Sequence, residues 1–428
     1  MATAVALAAI YEEKAKRYRR VTGKGVACWF QTDGSDAMEV SVSGDGCRPT
    51  TASIMWAEAT AVARFARLGR NESLAQAYEQ YAADTRAMLL SLHWNAAIDS
   101  FGVVPLANKH TRRVVGGNDD DDDDAPLTSK QGVVPLTSKQ SARASASSHA
   151  ESSSSSSAPA CNLSAVRIPD EPVGVRELLG FIPWYFEGLM PPEEAAFHAQ
   201  WKALFDADGF LSPWGLRTTE RRHPCYNYSW AHGDCWNGPS WPYETARVLG
   251  GAANALHAAS AAGAAAAPLS REQYVSMLLD YARQHTATFA ADDTASPVGS
   301  GHIFENLHPD LGYWNNRQQM YWSEAPMRDM GNDYLHSTFC DLVLSGLLGI
   351  RPQSGANNTV LVTPLAARSG PAAWEHFAAD HVLVRGRVLS VVWDSSGTAY
   401  GRGKGFRVLV DGEVAAWRED LGNLAVEL

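Results

Sequence analysis

Three stretches of the chain crowd acids, aromatics and turn-forming Gly and Pro together: DGSDAMEVSVSGDGCRPT (Asp33 to Thr50), HGDCWNGPSWPYE (His232 to Glu244) and GHIFENLHPDLGYW (Gly301 to Trp314). The first and third supply carboxyls, the second an aromatic wall. Two carboxyls flanking a glycosidic bond are equipped to hydrolyse it, one protonated to release the leaving oxygen, the other ionised to activate water or attack carbon. In the second stretch Trp236 and Trp241 bracket Asn237, Gly238 and Pro239. Flat rings stack on the C–H face of a sugar and an amide reads its hydroxyls. The same two rings read about as well as core residues, because large aromatics are usually mostly buried.

Other constellations carry less. His302, Glu305 and His308 form H-x-x-E-x-x-H, but Gly301, Pro309 and Gly312 argue against a helix long enough to put all three on one face, and no metal is expected. The spacings of His223, Cys225, His232 and Cys235 match no familiar zinc pattern, so two free thiols or a disulfide is the better reading. His336, Ser337 and Asp341 invite a triad, yet adjacent residues on a helix face apart, and helix packing accounts for them better.

The elements that must position these loops are mostly helical. Ile54 to Leu68, ended by Gly69, and the apolar series Leu74, Ala77, Tyr78, Tyr81, Thr85, Met88, Leu89 and Leu92 behind an Asn71 cap predict an αα-hairpin. Further helices are predicted over 193–205, 244–259, 271–289 and 333–348, separated by long Gly-, Pro- and Trp-rich loops. After Pro352 the pattern turns to β-branched runs, with Asp411-Gly412 between FRVLV and EVAAW as a hairpin signal. The organisation expected is therefore a helical domain over 1–350 and a small antiparallel β domain over 351–428. From about 111 to 160 the composition collapses into acids, Ser, Ala and Thr, including six consecutive Asp from Asp119, and predicts a disordered insertion.

The chain has 428 residues, 45% of them apolar, and a formal charge of -11, much of it in that acidic run, so the basic footprint of a nucleic-acid binder is missing. No apolar run approaches the roughly 18 residues of a membrane span. The N-terminal MATAVALAAIYEEK lacks a basic stretch and reads poorly as a signal peptide. Six Cys are too sparse for a disulfide scaffold and leave the compartment open.

WNGPSWPYETARVLGGAANAL, ENLHPDLG and DYLHSTFCDLVLSGLLGIRP, with ERRHPCYNYSW, GFIPWYF and DAMEVSVSGDGCRPT, resemble the six-hairpin glycosidases. Within them the likeness is to the mannosylglycerate hydrolase-like group related to processing α-glucosidase I and trehalase. The resemblance covers nearly the whole chain outside the insertion. It implies an (α/α)6 toroid, hydrolysis of an α-glycosidic bond with inversion, a carbohydrate substrate and no cofactor. On that resemblance Glu305 in IFENLHPDLG is the general base. Glu39, in Asp36-Ala37-Met38-Glu39, falls at the general-acid position, where the group usually carries an Asp. One extra methylene moves the proton donor, and Asp33, Asp36 and Asp45 are the neighbouring candidates. Trp29, Phe30 and Trp56 would raise the pKa of Glu39 by desolvating it; the plainer alternative is a carboxylate bonded to the Gly-rich turn or to Arg48. Trp236, Asn237, Gly238, Pro239, Trp241, Arg48, Trp184 and Tyr185 make up the expected substrate-binding set.

Only 38 residues precede Glu39, room for one or two helices, so a toroid that is incomplete at its N-terminus is expected. That shortage supports a second hypothesis, a catalytically silent carbohydrate-binding or structural relative. A sugar epimerase, with His302 and His308 as its candidate bases, is a third.

Overall fold

The computed structural model describes residues 2–32, 38, 41–107, 162–190, 192, 194–226, 236–263, 267–287, 305–314, 338–353, 358–367 and 373–428. The predicted insertion and Glu39, Asp33, Asp36, His232, Cys235, His302, His336 and Ser337 lie outside the described residues.

Helix α1 (Ala2–Tyr18) leads into strands β1 (Arg19–Val21), β2 (Ala27–Gln31) and β3 (Gly46–Cys47), which pair in that order. The apolar N-terminal stretch is thus an element of the core, with Tyr11 set edge-on to Trp29 and to Tyr78. Helices α2 (Pro49–Leu68) and α3 (Glu72–Leu92) form the predicted hairpin. Pro at the first turn and Gly69 at the end bound α2, and Asn71 caps α3 by accepting from Leu74 N at 3.1 Å. Strands β4 (Trp94–Asn95) and β5 (Ser100–Phe101), the short helices α4 (Leu163–Val166) and α5 (Ile182–Tyr185), and strands β6 (Leu211–Ser212) and β7 (Gly215–Leu216) follow.

Residues 195–205 are helical as predicted but wound as a 3-10 helix. The buried residues Phe197 and Gln200, and Trp201 and Leu204, stand three apart, the spacing a 3-10 helix eclipses. Helix α6 (Pro242–Ala262) starts with Pro and stops at Gly263, and α7 (Arg271–Gln284) opens with a capping box between Ser270 and Gln273. The last predicted helix is described only from Thr338, and over Leu342–Leu347 it is π-helical. The Tyr274 hydroxyl donates to Leu342 O at 3.0 Å, and a Cβ on Gly346 would come within 2.3 Å of that hydroxyl. A polar group inserted into the ladder is one known cause of such a bulge. The bulge also serves two cores, since Leu342 and Leu347 belong to the helical core while Val343 and Leu344 pack on the β core.

The C-terminal strands are β8 (Ile350–Pro352), β9 (Thr359–Val362), β10 (His376–Val384), β11 (Arg387–Asp394), β12 (Gly405–Val410), β13 (Glu413–Arg418) and β14 (Leu424–Glu427). They make an antiparallel β10-β11-β12-β13 sheet and a β14-β9-β8 sheet. Asp411 and Gly412 both take positive φ in the β12–β13 turn, as the sequence signal requires. The fold is mainly helical with small sheets.

Six scattered Cys predicted no disulfide scaffold, but Cys28 and Cys47 are joined across β2 and β3 and Cys225 is disulfide-bonded, whereas Cys340 is free and exposed. Among the described residues no helix is long and apolar enough to cross a membrane.

Candidate active site

Glu305 sits half-buried in a bend, followed by Asn306, Leu307 and His308, all of which are buried. The bend is held by backbone. Leu307 and Ser240 exchange both hydrogen bonds at 3.0 Å, so the segment carrying the candidate base lies directly against the WNGPSW loop. His308 Nδ1 accepts from Asp310 N and Leu311 N, each at 3.2 Å, which leaves the proton on Nε2 and the ring neutral. Burial pushes its pKa down in the same direction. Gly312, at φ +72°, lies where a Cβ would fall 2.0 Å from the Trp214 indole, so only Gly closes this loop.

The frame behind both loops is the segment 215–220. Arg217 bridges to Ser240, Thr218 N and Oγ1 both donate to Pro239 O, and Gly238 N donates to Thr218 Oγ1 at 3.0 Å. Arg217 is almost wholly buried and donates to Asp310 Oδ1 at 2.5 Å and to Ala207 O, which ties the far end of the base loop to the same frame. Gln284 Nε2 reaches Ser240 Oγ at 2.6 Å and Trp214 O at 3.1 Å, passing over Gly215, where a Cβ would collide with it. On the other side Leu178 N donates to Thr218 O at 3.0 Å, and Glu177 bridges to Thr219.

Glu39 itself lies outside the described residues, but both its flanks are anchored. Met38 is fully buried, and the residues from Ser41 to Gly44 are buried beside it. The Glu177 carboxylate accepts from Val42 N at 2.8 Å and from Ser43 N at 3.2 Å. Arg48, expected to bind substrate, instead has no exposed surface and braces this loop from below, donating to Gly44 O at 2.7 Å. Trp29, expected to desolvate Glu39, is buried against Tyr11 of α1.

Trp236 and Trp241, read as a sugar platform or as core, are stacked on each other at 3.9 Å with an interplanar angle of 13°, and both are buried. They share a cluster with Met38, Val42, Val103 and Leu179, so the second segment packs under the first. The core reading is the one the geometry realises. Asn237, Gly238 and Pro239 stay in the loop between them, and Asn237 Oδ1 makes no hydrogen bond to the protein. The same holds for both amide atoms of the fully buried Asn306. Trp184 is likewise core, edge-on to Trp201 and Phe101. Tyr185 is partly exposed over Gly250 of α6, its phenol raised by burial. At the start of that helix Glu244 pairs with Arg247 at 2.9 Å, and the Arg247 guanidinium lies over Tyr243.

Among the described residues no three His, Cys, Asp or Glu gather as a metal site. The residues that sequence reasoning missed are Glu177, Arg167, Arg217 and Gln284. Glu177 had one signal, a lone acid entering the apolar run GVRELLGF. Charges that enter apolar runs are buried only when bonded.

The Glu305 segment and the Asn237 loop are thus set on one backbone frame in a mainly helical scaffold. Residues 2–337 match the mannosylglycerate hydrolase MGH1-like glycoside hydrolase domain, and the chain belongs to that family. A solved structure named sialidase is similar to 99% of this chain, with a TM-score of 0.71 and 25% identity. The chain spans 30% of that protein's length. No curated protein matches it.

Proposed function

We propose that the protein hydrolyses an α-glycosidic bond by general acid–base catalysis with inversion, on an (α/α)6 toroid, with Glu305 as the base and Glu39 as the acid. The observation that carries this reading is the Ser240–Leu307 bridge, which brings the Glu305 segment onto the Asn237 loop in a chain of glycoside hydrolase family. In the proposed step the acid protonates the glycosidic oxygen as the bond from C1 breaks. Glu305 takes a proton from the water that attacks C1 from the opposite face, giving a sugar of inverted configuration and a free alcohol. Asn237 Oδ1 and the side-chain amide of Asn306, which make no hydrogen bond to the protein, are the groups suited to reading sugar hydroxyls, because buried amides are otherwise bonded within the protein. With Trp236 and Trp241 packed on each other, Tyr185 and Tyr243 are the aromatic groups nearer the surface.

The test is release of free sugar from a panel of α-glucosides and α-mannosides by wild type and Glu305→Gln, with the anomer of the first product read by NMR. Turnover abolished by Glu305→Gln, with a β-anomer formed first, is the expected result. Binding without turnover in the wild type would overturn it in favour of a silent carbohydrate-binding relative.

A further inference from the structure

We infer that Glu177 is a positioning residue that sets the acid-bearing loop against the base-bearing loop, an inference that rests on the proposed glycosidase reading. Glu177 is 2% exposed, and its two carboxylate oxygens take one backbone N–H each from consecutive residues, Val42 and Ser43, at 2.8 and 3.2 Å. Those residues lie three and four positions from Glu39. A buried carboxylate that accepts two amides fixes a loop in direction as well as in place, since charge-assisted bonds are stronger and shorter than neutral ones. Its own backbone is fixed in turn by the bridge to Thr219 and by Leu178 N on Thr218 O. From Thr218 the bonds continue to Pro239, and from Ser240 to Leu307, two residues from Glu305. Glu177 is therefore the side-chain step in an otherwise backbone path between the two loops.

Two cations hold the same loop from other directions. Arg167 Nε donates to Val42 O at 2.8 Å, and Arg48 Nη1 donates to Gly44 O at 2.7 Å. Both clamp carbonyls, of Val42 and Gly44, whereas Glu177 takes the amides of Val42 and Ser43, so the loop is held through both its donors and its acceptors. Loss of the Glu177 carboxylate removes the bonds that tie Val42 N and Ser43 N to the frame that carries Glu305.

The distinguishing readout is leaving-group dependence. A displaced general acid hurts substrates whose leaving oxygen needs a proton and spares those whose leaving group departs without one. Glu177→Gln keeps one acceptor and turns an NH2 towards the second amide. It is compared with wild type on an α-glucosyl disaccharide and on α-glucosyl fluoride. The expected result is a fall in kcat/KM of about 100-fold on the disaccharide, as for a catalytic group misplaced by about 1 Å, with less than about tenfold loss on the fluoride. Arg167→Met, which frees the loop's other side without unpairing a buried acid, should show the same asymmetry more weakly, and it serves if Glu177→Gln folds poorly. Equal losses on both substrates in both variants, or none, would reduce Glu177 to packing and leave the glycosidase reading intact. A wild type that turns over neither substrate would sink both.

Discussion

Replacing Trp236 by Ala separates a packed aromatic pair from a sugar platform, because the two demand opposite outcomes. The indole is buried, stacked on Trp241 at 3.9 Å and enclosed by Met38, Val42 and Val103. Truncating a buried Trp costs about 3–5 kcal/mol, including the cavity and about 1 kcal/mol of ring–ring contact. At roughly 2 °C per kcal/mol for a large chain, Tm should fall by about 6–10 °C. Trp236→Phe should behave differently. It keeps a ring on Trp241 and deletes a buried Nε1–H that has no acceptor, a group that costs about 1–3 kcal/mol, so the smaller ring's loss is offset to within about 1 kcal/mol. Scanning calorimetry on both variants gives the stabilities, and initial rates on an α-glucoside give KM. Since neither ring is open to a ligand, KM should change less than about twofold while kcat falls in the Ala variant as the Met38–Val42 side of the cluster loosens. An unchanged Tm with a KM raised tenfold or more would show that the indole meets sugar and that the packing argument is wrong.

Three further outcomes follow from particular groups. Gly312→Ala forces a side chain to φ +72° and into the Trp214 ring, costing about 2–4 kcal/mol, and should lower kcat through the Glu305 loop; wild-type activity and Tm would count against the close approach. His93 and His257 are both held near pKa 4 by burial, against 6.5 when free, so the folded chain binds fewer protons than the unfolded one between those values. Their contribution is complete above pH 6.5 and is lost as pH falls towards 4, by up to about 3 kcal/mol per ring, and urea midpoints at pH 7.5 and 4.5 that coincide would refute it. Iodoacetamide should modify Cys340 without reductant, and Cys28 and Cys47 only after reduction, which should cost about 3 kcal/mol for a loop of this length. Prompt labelling of Cys28 in the unreduced protein would remove the bridge.

What the sequence made legible was what is periodic or capped. The α2–α3 hairpin was readable because Asn71 and Gly69 punctuate two long apolar series, and the β12–β13 turn because Asp-Gly accepts two positive φ values. The frame at 215–220 was invisible for the opposite reason. Its pairings are single bridges and two-residue strands, too short to write any alternation into the side chains. Residue types told where aromatic and acidic loops lie, but not which way Trp236 and Trp241 face, since a ring that stacks on a sugar and a ring that stacks on its neighbour have the same sequence signal. Arg48 carries a related ambiguity: a cation next to an acidic Gly-rich loop fits a ligand or a loop carbonyl equally well until the loop's path is known, and here it donates to Gly44 O. The Cys28–Cys47 pairing came from β2 meeting β3, a contact that 19 residues of separation do not encode.

The way the two loops are joined bears on how such a site tolerates change. Glycoside hydrolysis depends on the distance between two carboxyls, and a displacement of about 1 Å can remove a hundredfold of rate. In the chain more than 260 residues separate Glu39 from Glu305, the pair proposed for that role. In space the connection runs from Val42 and Ser43 through the Glu177 carboxylate to Thr218, then by backbone to Pro239 and from Ser240 to Leu307. Backbone pairings are indifferent to side-chain identity, so most substitutions along 215–220 and 236–240 should leave the spacing alone. Sensitivity concentrates where a side chain or a missing Cβ carries the geometry: Glu177, Gln284 over Gly215, Arg217 on Asp310, and Gly312 under Trp214. Under the proposed reading, activity should therefore fall at these few positions by up to about a hundredfold, short of the complete loss expected of Glu305→Gln.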